Sequence, residues 1–306
     1  MCQTLDILGQ VPWTINERVL DTMEYVWSIG GGLGSIPNRY NARQITPEMI
    51  QEADFSDKLK LLKEYQHNIE THSLRCSFLL TLKIAQSYRK VREMYFPHNC
   101  DFRGRVYPIT PHLNHMGADL NRGILTFSEG KRIGEDGLYW LKVHLANKWG
   151  KDKLPLDERA EFADEMMDTI HRIAENPKEN LEWLQAENPW QALACIFELS
   201  EAYKMENPAD FVGRLHVHVD GSCNGMQHYA AFGRDSAGGK QVNLAESPKP
   251  GDVYTAILKF VIADIENEKD PDCIEIAESL KGKVTRKVIK QTVMTSVYGV
   301  TFIGAR

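Results

Sequence analysis

Asp220 is the side chain whose surroundings in the sequence most favour chemistry. Residues 215–219 alternate apolar side chains with histidines, which is the period of a half-buried strand, and Gly221 and Ser222 then form an abrupt turn. Residues 224–232 predict a helix directly after that turn. A carboxylate held where a strand ends and a helix begins, beside the backbone N–H groups of a turn, is a natural ligand for a hard cation such as Mg²⁺.

Neighbouring side chains leave other chemistry open. His216 and His218 could ligate a metal, although histidines that alternate along a strand are more often structural. Ser222 and His228 could serve as the nucleophile and base of a hydrolase, but GSCNG is not the G-x-S-x-G elbow and the pair would have poor geometry. A metal-dependent nuclease needs several converging carboxylates, and the nearby sequence offers only Asp235 as a second one.

Residues 284–299, VTRKVIKQTVMTSVYG, predict a helix with a cationic stripe. At about 100° per residue the stripe spreads over about 120° of one side, and an apolar cluster lies beside it. A buried apolar side next to a cationic stripe that ends in an aromatic ring suits a nucleoside triphosphate, and a solvated basic face is the alternative. The stripe comprises Arg286, Lys290, Met294 and Tyr298, and the apolar side comprises Ile289, Val293, Ser296 and Val300.

Two further cationic side chains lie in residues 95–110, a segment that predicts a β-hairpin. Proline, asparagine and Gly104 punctuate this segment, and its later residues favour extended structure. Arg103 and Arg105 are two residues apart and share one face if both lie on a strand. Adjacent guanidinium groups suit phosphate oxygens, which they bind bidentately, and surface salt bridges are the alternative.

Helices account for most of the remaining sequence. Apolar residues recur at helical spacing in six further segments, and Thr46-Pro47 supplies a strong helix start. Leu59, Leu62 and Ile69 lie on one face of the longest segment, which we interpret as scaffolding, with a grip on nucleic acid as the alternative. The predicted helical segments are residues 15–26, 46–88, 138–145, 158–173, 189–203 and 253–265, and a loop is predicted to begin at Gly238-Gly239.

Composition and charge narrow the functional class. The 306 residues include no apolar run of about 18, so no transmembrane helix is predicted, and the N-terminus resembles neither a secretory signal nor a transit peptide. Six scattered cysteines without a CxxC pair indicate reduced thiols.

The net charge is −6, yet residues 281–306 hold six basic and no acidic side chains, so a polyanion would bind there. Residues 156–210 hold 14 acidic and 4 basic side chains, which we interpret as solvated helical faces.

Three blocks of the sequence resemble, in this order, blocks of the single-subunit, phage-type DNA-directed RNA polymerases. They are DFRGRVY at residues 101–107, VDGSCNGMQH at 219–228 and RKVIKQTVMTSVYG at 286–299. The wording TRKVIKQTVMTSVYGVTFIG is most similar to the mitochondrial members of the family, those of fungi in particular. The resemblance covers nearly the whole chain. It implies a helix-rich α+β fold of the right-hand polymerase type, with a thumb, a palm and part of the fingers.

The resemblance also implies a division of the chain into functional regions. The implied regions are a helical thumb-like region at residues 1–92, the first part of the palm at 93–133, a helical palm insertion at 134–208, the palm with the Asp220 motif at 209–236, and the first part of the fingers at 237–306, ending in the nucleotide-binding helix.

Residues that match the family's blocks acquire roles through the resemblance. Asp220 is similar to the first metal-binding aspartate of the family, and the carbonyl of Gly221 is implied as a second ligand of Mg²⁺. Lys290 matches the lysine that meets the incoming triphosphate, and Arg286 matches the arginine beside it.

Four further positions are implied to bind the substrate or nucleic acid. Tyr298 matches the tyrosine that helps favour ribose over deoxyribose, and Gly299 follows it in the substrate-binding block. Arg103 and Arg105 correspond to palm arginines near the nucleic acid and the active site. The implied reaction is template-directed RNA synthesis by two-metal-ion nucleotidyl transfer, in which cationic side chains offset the charge on the leaving pyrophosphate.

The family also implies the surroundings in which the protein works. Its partners are a DNA template, the RNA product, ribonucleoside triphosphates and mitochondrial transcription initiation factors, and its cofactor is Mg²⁺. The implied location is the mitochondrial matrix, although this chain carries no targeting segment.

One feature of the family has no counterpart in this sequence. The polymerases need a second aspartate, in a His-Asp-Ser block several hundred residues after the first, and no HDS occurs here. Asp235 or Asp252 would have to leave its local context to replace it. We therefore expect an internal piece or a truncated product of a polymerase that is inactive alone, with a non-catalytic nucleic-acid-binding fragment as the alternative.

Overall fold

The computed structural model describes residues 2–41 and 43–304 and divides the chain into two compact units. The first unit comprises residues 1–152 and 156–217, and the second comprises residues 153–155 and 218–306. Helices dominate both units and the few strands are short, so the predicted helix-rich α+β class is confirmed.

The first unit combines nine helices with three pairs of short strands among its described residues. Its helices are α1 Cys2–Gly9, α2 Glu17–Ser28, α3 Pro47–Glu52, α4 Phe55–Tyr88, α5 Asp119–Ile124, α6 Gly134–Lys148, α7 Leu156–Glu165, α8 Met167–Glu175 and α9 Pro189–Ala202, with 3₁₀ turns at Glu182–Gln185 and Pro208–Asp210. Its strands are β1 Trp13–Ile15, β2 His98–Cys100, β3 Val106–Pro108, β4 Leu125–Phe127, β5 Lys131–Arg132 and β6 Val212–Gly213.

Helix α9 lies at the centre of the core of the first unit. Pro189 occupies the first turn, where its missing N–H costs nothing, and the following sequence is apolar on nearly every side. A helix that is apolar all round must be buried, and α9 packs against α2, α5, α6 and α8. Trp190 of α9 is fully buried, and its ring lies 4.9 Å from that of Trp183.

The N-terminus of α9 is capped by a side chain from α5. The carboxylate of Asp119 accepts hydrogen bonds from the backbone N–H groups of Trp190, at 2.9 Å, and Gln191, at 3.1 Å. The side-chain amide of Gln191 donates to the same carboxylate at 3.0 Å. One acidic residue thus supplies the acceptors that the first turn of a helix lacks, and it ties two helices of the core together.

Replacing Asp119 with alanine is expected to lower the free energy of unfolding by about 2 kcal/mol, because it leaves partly buried N–H donors without an acceptor. Urea unfolding followed by far-UV circular dichroism measures the change. Asp168→Ala, at an exposed position in the first turn of α8, is the matched control and should change stability far less. Equal losses of unfolding free energy in the two variants would show that the hydrogen bonds of Asp119 stabilise the fold no more than an exposed aspartate does.

The strands form three antiparallel pairs, β1 with β4, β2 with β3, and β5 with β6. The pair β2–β3 confirms the hairpin predicted for residues 95–110. Beyond the end of β6, the carbonyl of Arg214 accepts hydrogen bonds from the backbone N–H of Phe127, at 3.0 Å, and from the hydroxyl of Thr126, at 2.7 Å. These bonds hold the residue after β6 beside β4.

The strand predicted for residues 215–219 is wrong. A strand needs a partner for its backbone, and none of the described residues forms a strand with this segment. The buried side of the segment is also the opposite of the predicted one, because His216 is buried whereas Val219 is 91% exposed. His216 packs edge-on against the ring of Trp13 at 5.1 Å, so an aromatic contact, rather than the alternating valines, decides which side faces inward.

Two other local predictions are corrected in the same way. Gly238 and Gly239 lie inside a short helix rather than a loop, because Asp235 caps that helix by accepting the N–H of Gly238 at 2.9 Å. The single helix predicted for residues 158–173 is two helices, α7 and α8, separated at Met166, whose ψ of 1° departs from helical geometry.

The long helix α4 begins where the sequence predicts a helix-rich region, but its predicted face is not a packing face. Leu59, Leu62 and Ile69 are 43–54% exposed in the structure. The buried side chains of α4 are those of Phe78, Thr81, Leu82 and Ala85 near its C-terminal end. Here α4 packs against α2, so only this end contributes to the core.

The second unit is a smaller helical assembly. Its core consists of Ala230, Val242, Val253 and Tyr254, with Val293 and Ile257 among the side chains packed against them. None of the helices in the described part of either unit is both long and apolar enough to cross a membrane. The helices of the second unit are α10 Asn224–Gly233, α11 Ser236–Gln241, α12 Val253–Glu266, α13 Pro271–Leu280 and α14 Arg286–Val297.

Candidate functional site

Asp220 lies on a tight, exposed turn immediately before α10. Its Oδ1 accepts the backbone N–H of Gly221 at 2.8 Å, and Cys223 adopts a left-handed conformation, with φ 55°, at the start of the helix. A Cβ at Gly221 would meet the side-chain amide of Asn224, which would have to shift. The Asp220 carboxylate lies at a solvent-exposed position ahead of a helix N-terminus.

Helix α10 connects this turn to α12 and α14. The thiol of Cys223 donates a hydrogen bond to the hydroxyl of Tyr254 on α12, over 3.1 Å. At Gly225 an added Cβ would come within 2.9 Å of the Val297 side chain on α14, so the glycine permits a close approach of the two helices. The turn that carries Asp220 and the C-terminal end of α14 thus belong to one packed assembly.

Arg286, the first residue of α14, forms the most extensive polar contact of the second unit. Its Nε lies 2.6 Å from Oδ2 of Asp252, and its Nη2 lies 3.1 Å from Oδ1. The same carboxylate caps α12 by accepting the backbone N–H of Tyr254 at 3.2 Å and the hydroxyl of Thr255 at 2.7 Å. Burial alone would raise the pKa of Asp252, but the hydrogen bonds from Arg286 and Thr255 outweigh it and lower the pKa to about 2.

The ring of Tyr254 supports two cationic side chains of α14. The guanidinium carbon of Arg286 lies 5.4 Å from the ring centroid, and the ammonium nitrogen of Lys290 lies 6.0 Å from it. Burial raises the pKa of Tyr254 to about 12, and the neighbouring Cys223 thiol adds to the rise. Tyr254 is therefore a neutral aromatic platform at physiological pH. Tyr298, one turn beyond Met294, is 74% exposed at the end of the helix.

The Asp252–Arg286 pair predicts a pH dependence of stability. A carboxyl group with a lowered pKa in the folded state stabilises that state above its unfolded pKa of about 4, and this stabilisation is lost as the pH falls toward about 2. We expect a contribution of roughly 1–2 kcal/mol after allowance for solvent screening of the half-exposed arginine. Urea unfolding of the wild type and of Asp252→Asn should differ by this amount at pH 7 and converge between about pH 4 and pH 2. A difference that is constant with pH would contradict the assignment.

The predicted arginine pair lies in the first unit, in the turn of the β2–β3 hairpin. Arg103 and Arg105 follow β2 rather than lying on a strand, so the condition for a shared strand face is not met. Arg103 donates through Nε and Nη2 to Oδ2 of Asp101, both at 3.2 Å. The pKa of Asp101 is lowered, chiefly by the backbone N–H of Arg105 and further by Arg103. A local carboxylate therefore orders this turn and engages one of its two guanidinium groups.

The residues at the Asp220 turn fit part of a Mg²⁺ site. An exposed carboxylate and a neighbouring carbonyl are the oxygen ligands that Mg²⁺ accepts, and this ion completes its shell with water and substrate phosphates. Within residues 2–41 and 43–304, however, no three His, Cys, Asp or Glu side chains converge as a ready-made metal site. Asp235 and Asp252, the two aspartates weighed as alternatives from the sequence, cap α11 and α12.

The sequence patterns did not assign Asp252, Tyr254 or Glu198 to functional contacts. Asp252 shows only as the start of a helix, because its partner Arg286 lies 34 residues away. The interpretation of the acidic residues at 156–210 as solvated is wrong for Glu198, which is not exposed. Burial raises the pKa of Glu198, and its carboxylate accepts the backbone N–H of Arg214 at 2.9 Å, in the segment that leads to Asp220.

Comparison with known proteins gives consistent matches. Residues 131–306 match the family model of DNA-dependent RNA polymerases. The chain is 49% identical over 307 residues to the mitochondrial DNA-directed RNA polymerase of Neurospora crassa, and this alignment covers 99% of the chain and 21% of that protein. It is 44% identical to DNA-directed RNA polymerase 2B, chloroplastic/mitochondrial, of Nicotiana tabacum, over 99% of the chain and 31% of that protein. It is 43% identical to DNA-directed RNA polymerase 1, mitochondrial, of Arabidopsis thaliana, over 99% of the chain and 32% of that protein. The chain thus spans about a fifth to a third of the length of these relatives.

Proposed function

Because the chain belongs to the family of single-subunit, phage-type DNA-dependent RNA polymerases, we propose that it takes part in RNA synthesis directed by a DNA template. The substrates are ribonucleoside triphosphates and the product is RNA. One observation carries the proposal: the turn with Asp220 and the cationic helix α14 lie in one unit and are connected through Tyr254. A metal-binding carboxylate and a triphosphate-binding helix are the two parts that nucleotidyl transfer requires.

In the proposed mechanism, Asp220 and the carbonyl of Gly221 hold Mg²⁺. When bound, Mg²⁺ supplies Lewis-acid activation of the attacking 3′-hydroxyl and stabilises the leaving oxygen. The chain contributes the placement of the carboxylate, because the turn leaves Asp220 exposed. One oxygen of this carboxylate accepts the backbone N–H of Gly221. Only part of the carboxylate's acceptor capacity is used within the turn.

The cationic side chains of α14 are proposed to bind the triphosphate. Lys290 acts as the catalytic cation that offsets charge on the leaving pyrophosphate, and Arg286 binds beside it. Tyr254 holds both groups over one ring, which supports a common target for the two charges. Tyr298 and Gly299 follow at the end of the helix, where we place the sugar of the incoming nucleotide.

Other parts of the chain are assigned from the family. We propose that Arg103 and Arg105 lie near nucleic acid in the polymerase, with the turn ordered by Asp101 presenting them. We propose the same regions as the sequence does: the thumb-like region at residues 1–92, the palm at 93–133 and 209–236, the palm insertion at 134–208 and the first part of the fingers at 237–306.

The relatives support a location and a set of partners. Several are mitochondrial polymerases and others are chloroplastic, and the fungal match is mitochondrial. We therefore propose the mitochondrial matrix as the site of action, with a DNA template and mitochondrial transcription initiation factors as partners.

A second candidate function is favoured by the composition of the site. Among the described residues no three candidate metal ligands converge at the Asp220 turn, and Asp220 alone would hold two metal ions poorly. The chain on its own would then bind nucleic acid and nucleotides without catalysing synthesis.

An extension assay separates the two functions. The natural polypeptide that carries this sequence is supplied with an RNA primer on a DNA template, ribonucleoside triphosphates and Mg²⁺, and the 306-residue chain is assayed in parallel. Template-directed extension by the natural polypeptide supports the polymerase function. Binding without extension by the 306-residue chain supports the second function for the chain on its own. Binding without extension by both proteins would contradict the polymerase function, and no binding by either would contradict both functions.

Replacing Tyr298 with phenylalanine is expected to weaken the discrimination against deoxynucleotides by about tenfold or more, because the phenol is the polar group placed to sense the sugar. The measurement is the ratio of kcat/KM for a ribonucleotide to that for its deoxy counterpart. Tyr229→Phe, at another exposed tyrosine of the second unit, is the control and should leave the ratio unchanged. Unchanged discrimination in Tyr298→Phe would contradict the assignment.

A further inference from the structure

Asp252 makes more contacts than the capping of α12 requires. Four donors converge on its carboxylate: the backbone N–H groups of Tyr254 and Thr255, the hydroxyl of Thr255 and the guanidinium of Arg286. The backbone and hydroxyl donors account for the capping of α12. The contact with Arg286 reaches across to the first residue of α14 and fixes this second helix against the first.

The geometry of the pair determines how the guanidinium is presented. Arg286 uses Nε and Nη2, one edge of its planar group, so the plane of the guanidinium is set by the carboxylate. This edge takes two of the five N–H donors of an arginine. A side chain that is held in this way gives up its rotamer entropy before any ligand arrives.

Tyr254 completes the arrangement from the same helix turn. It follows Asp252 by two residues, and the cationic groups of Arg286 and Lys290 both lie over its ring. The cap of α12 thus sets the position of the ring, and the ring and the carboxylate together set the position of both cations. Asp252, the cap of α12, and Tyr254 within α12 therefore set the positions of the two cations at the start of α14.

We propose that Asp252 is a positioning residue that orients Arg286 to bind the triphosphate of the incoming nucleotide. The inference rests on the proposed function, since it assumes that the ligand of α14 is a nucleoside triphosphate. Asp252 acts through Arg286 and does not itself contact the ligand.

The sign of the expected effect separates this role from simple electrostatics. A carboxylate near an anion-binding site lowers the local positive potential, so its removal should tighten triphosphate binding if net charge decides affinity. If orientation decides, Asp252→Asn should weaken binding even though the site becomes more positive. The amide of asparagine keeps an oxygen for the helix cap, so the substitution removes mainly the charge pair.

The test uses steady-state kinetics of the natural polypeptide. We expect Asp252→Asn to raise the KM for ribonucleoside triphosphates about tenfold, the scale of one lost charge-assisted hydrogen bond, with a smaller change in kcat. In an Arg286→Ala background the same substitution should have no further effect on KM, because the group that it positions is gone. An unchanged or lower KM in Asp252→Asn, or an equal rise in both backgrounds, would overturn the proposal.

A matched substitution excludes loss of the helix cap as the cause. Asp270 caps α13 by accepting the N–H of Asp272 at 3.1 Å, and Asp270→Asn should leave the KM near its wild-type value. A similar rise in KM for the two variants would mean that capping explains the effect, and would overturn the positioning role.

A binding measurement keeps the inference separate from the proposed function. If the wild-type polypeptide makes no RNA, the proposed function fails, and the affinity for a fluorescent ATP analogue then decides the inference. Weaker binding by Asp252→Asn that disappears in the Arg286→Ala background supports the positioning role. Equal or tighter binding overturns it.

Discussion

Replacing Asp220 with asparagine in the natural polypeptide is expected to lower RNA synthesis by about 10³-fold or more, because the substitution removes the charged oxygen ligand proposed to hold Mg²⁺. The fold should survive. Within the turn the carboxylate accepts the N–H of Gly221, and the amide oxygen of asparagine can accept that bond equally well. Loss of activity with an unchanged melting temperature is therefore the expected combination.

The measurement is template-dependent primer extension, together with circular dichroism and thermal unfolding. Asp264→Asn, an exposed aspartate on α12 in the same unit, is the matched control and should retain near-normal synthesis. Near-normal synthesis by Asp220→Asn would sink the assignment of the metal site. A large drop in the melting temperature would instead point to a structural role for the turn.

Local signals in the sequence predicted the helices well. Thr46 and Pro47 predicted a helix start, and Thr46 indeed caps α3 by accepting the N–H of Met49. The apolar spacing of Val19 and Met23 predicted α2, where both side chains are buried. The reason is that caps and helical periodicity involve residues only three or four positions apart, so a short stretch of sequence contains the whole interaction.

Predictions failed where distant residues decide the structure. The alternation in residues 215–219 indicated a strand, but the packing of His216 against Trp13, more than 200 positions earlier, decides which side is buried. Tertiary contacts of this kind leave no periodic trace in the sequence.

The same difference between local and distant contacts decides which features of the candidate site the sequence predicted. The helix carrying Arg286 and Lys290 follows from its own sequence, and α14 confirms it. The predicted packing side is confirmed only in part: Ile289 is buried and Val293 half-buried, whereas Ser296 and Val300 at the C-terminal end are exposed. The family resemblance of the chain is likewise confirmed. The contacts of Asp252 do not follow from local sequence, because α13 lies between Asp252 and Arg286 in the chain and only the packed second unit brings the two together.

The core of the first unit supports the second large prediction. Trp190→Ala is expected to lower the free energy of unfolding by about 4 kcal/mol, since it removes the largest side chain of α9 from a fully buried position. The substitution also breaks the hydrogen bond from the indole N–H to the carbonyl of Gly34, at 2.6 Å, and leaves that part-buried acceptor without its donor. The packing partner Trp183, 4.9 Å away, would then face a cavity.

Trp140→Ala is the matched control, because it deletes the same side chain from a position on α6 that is 52% exposed. Urea unfolding monitored by far-UV circular dichroism avoids the loss of fluorescence that either substitution causes. We expect a large shift of the unfolding midpoint for Trp190→Ala and a change within about 1 kcal/mol for Trp140→Ala. Comparable midpoints for the two variants would contradict a core organised around α9. Failure of Trp190→Ala alone to fold would agree with it, because a loss of about 4 kcal/mol approaches the whole stability of an ordinary domain.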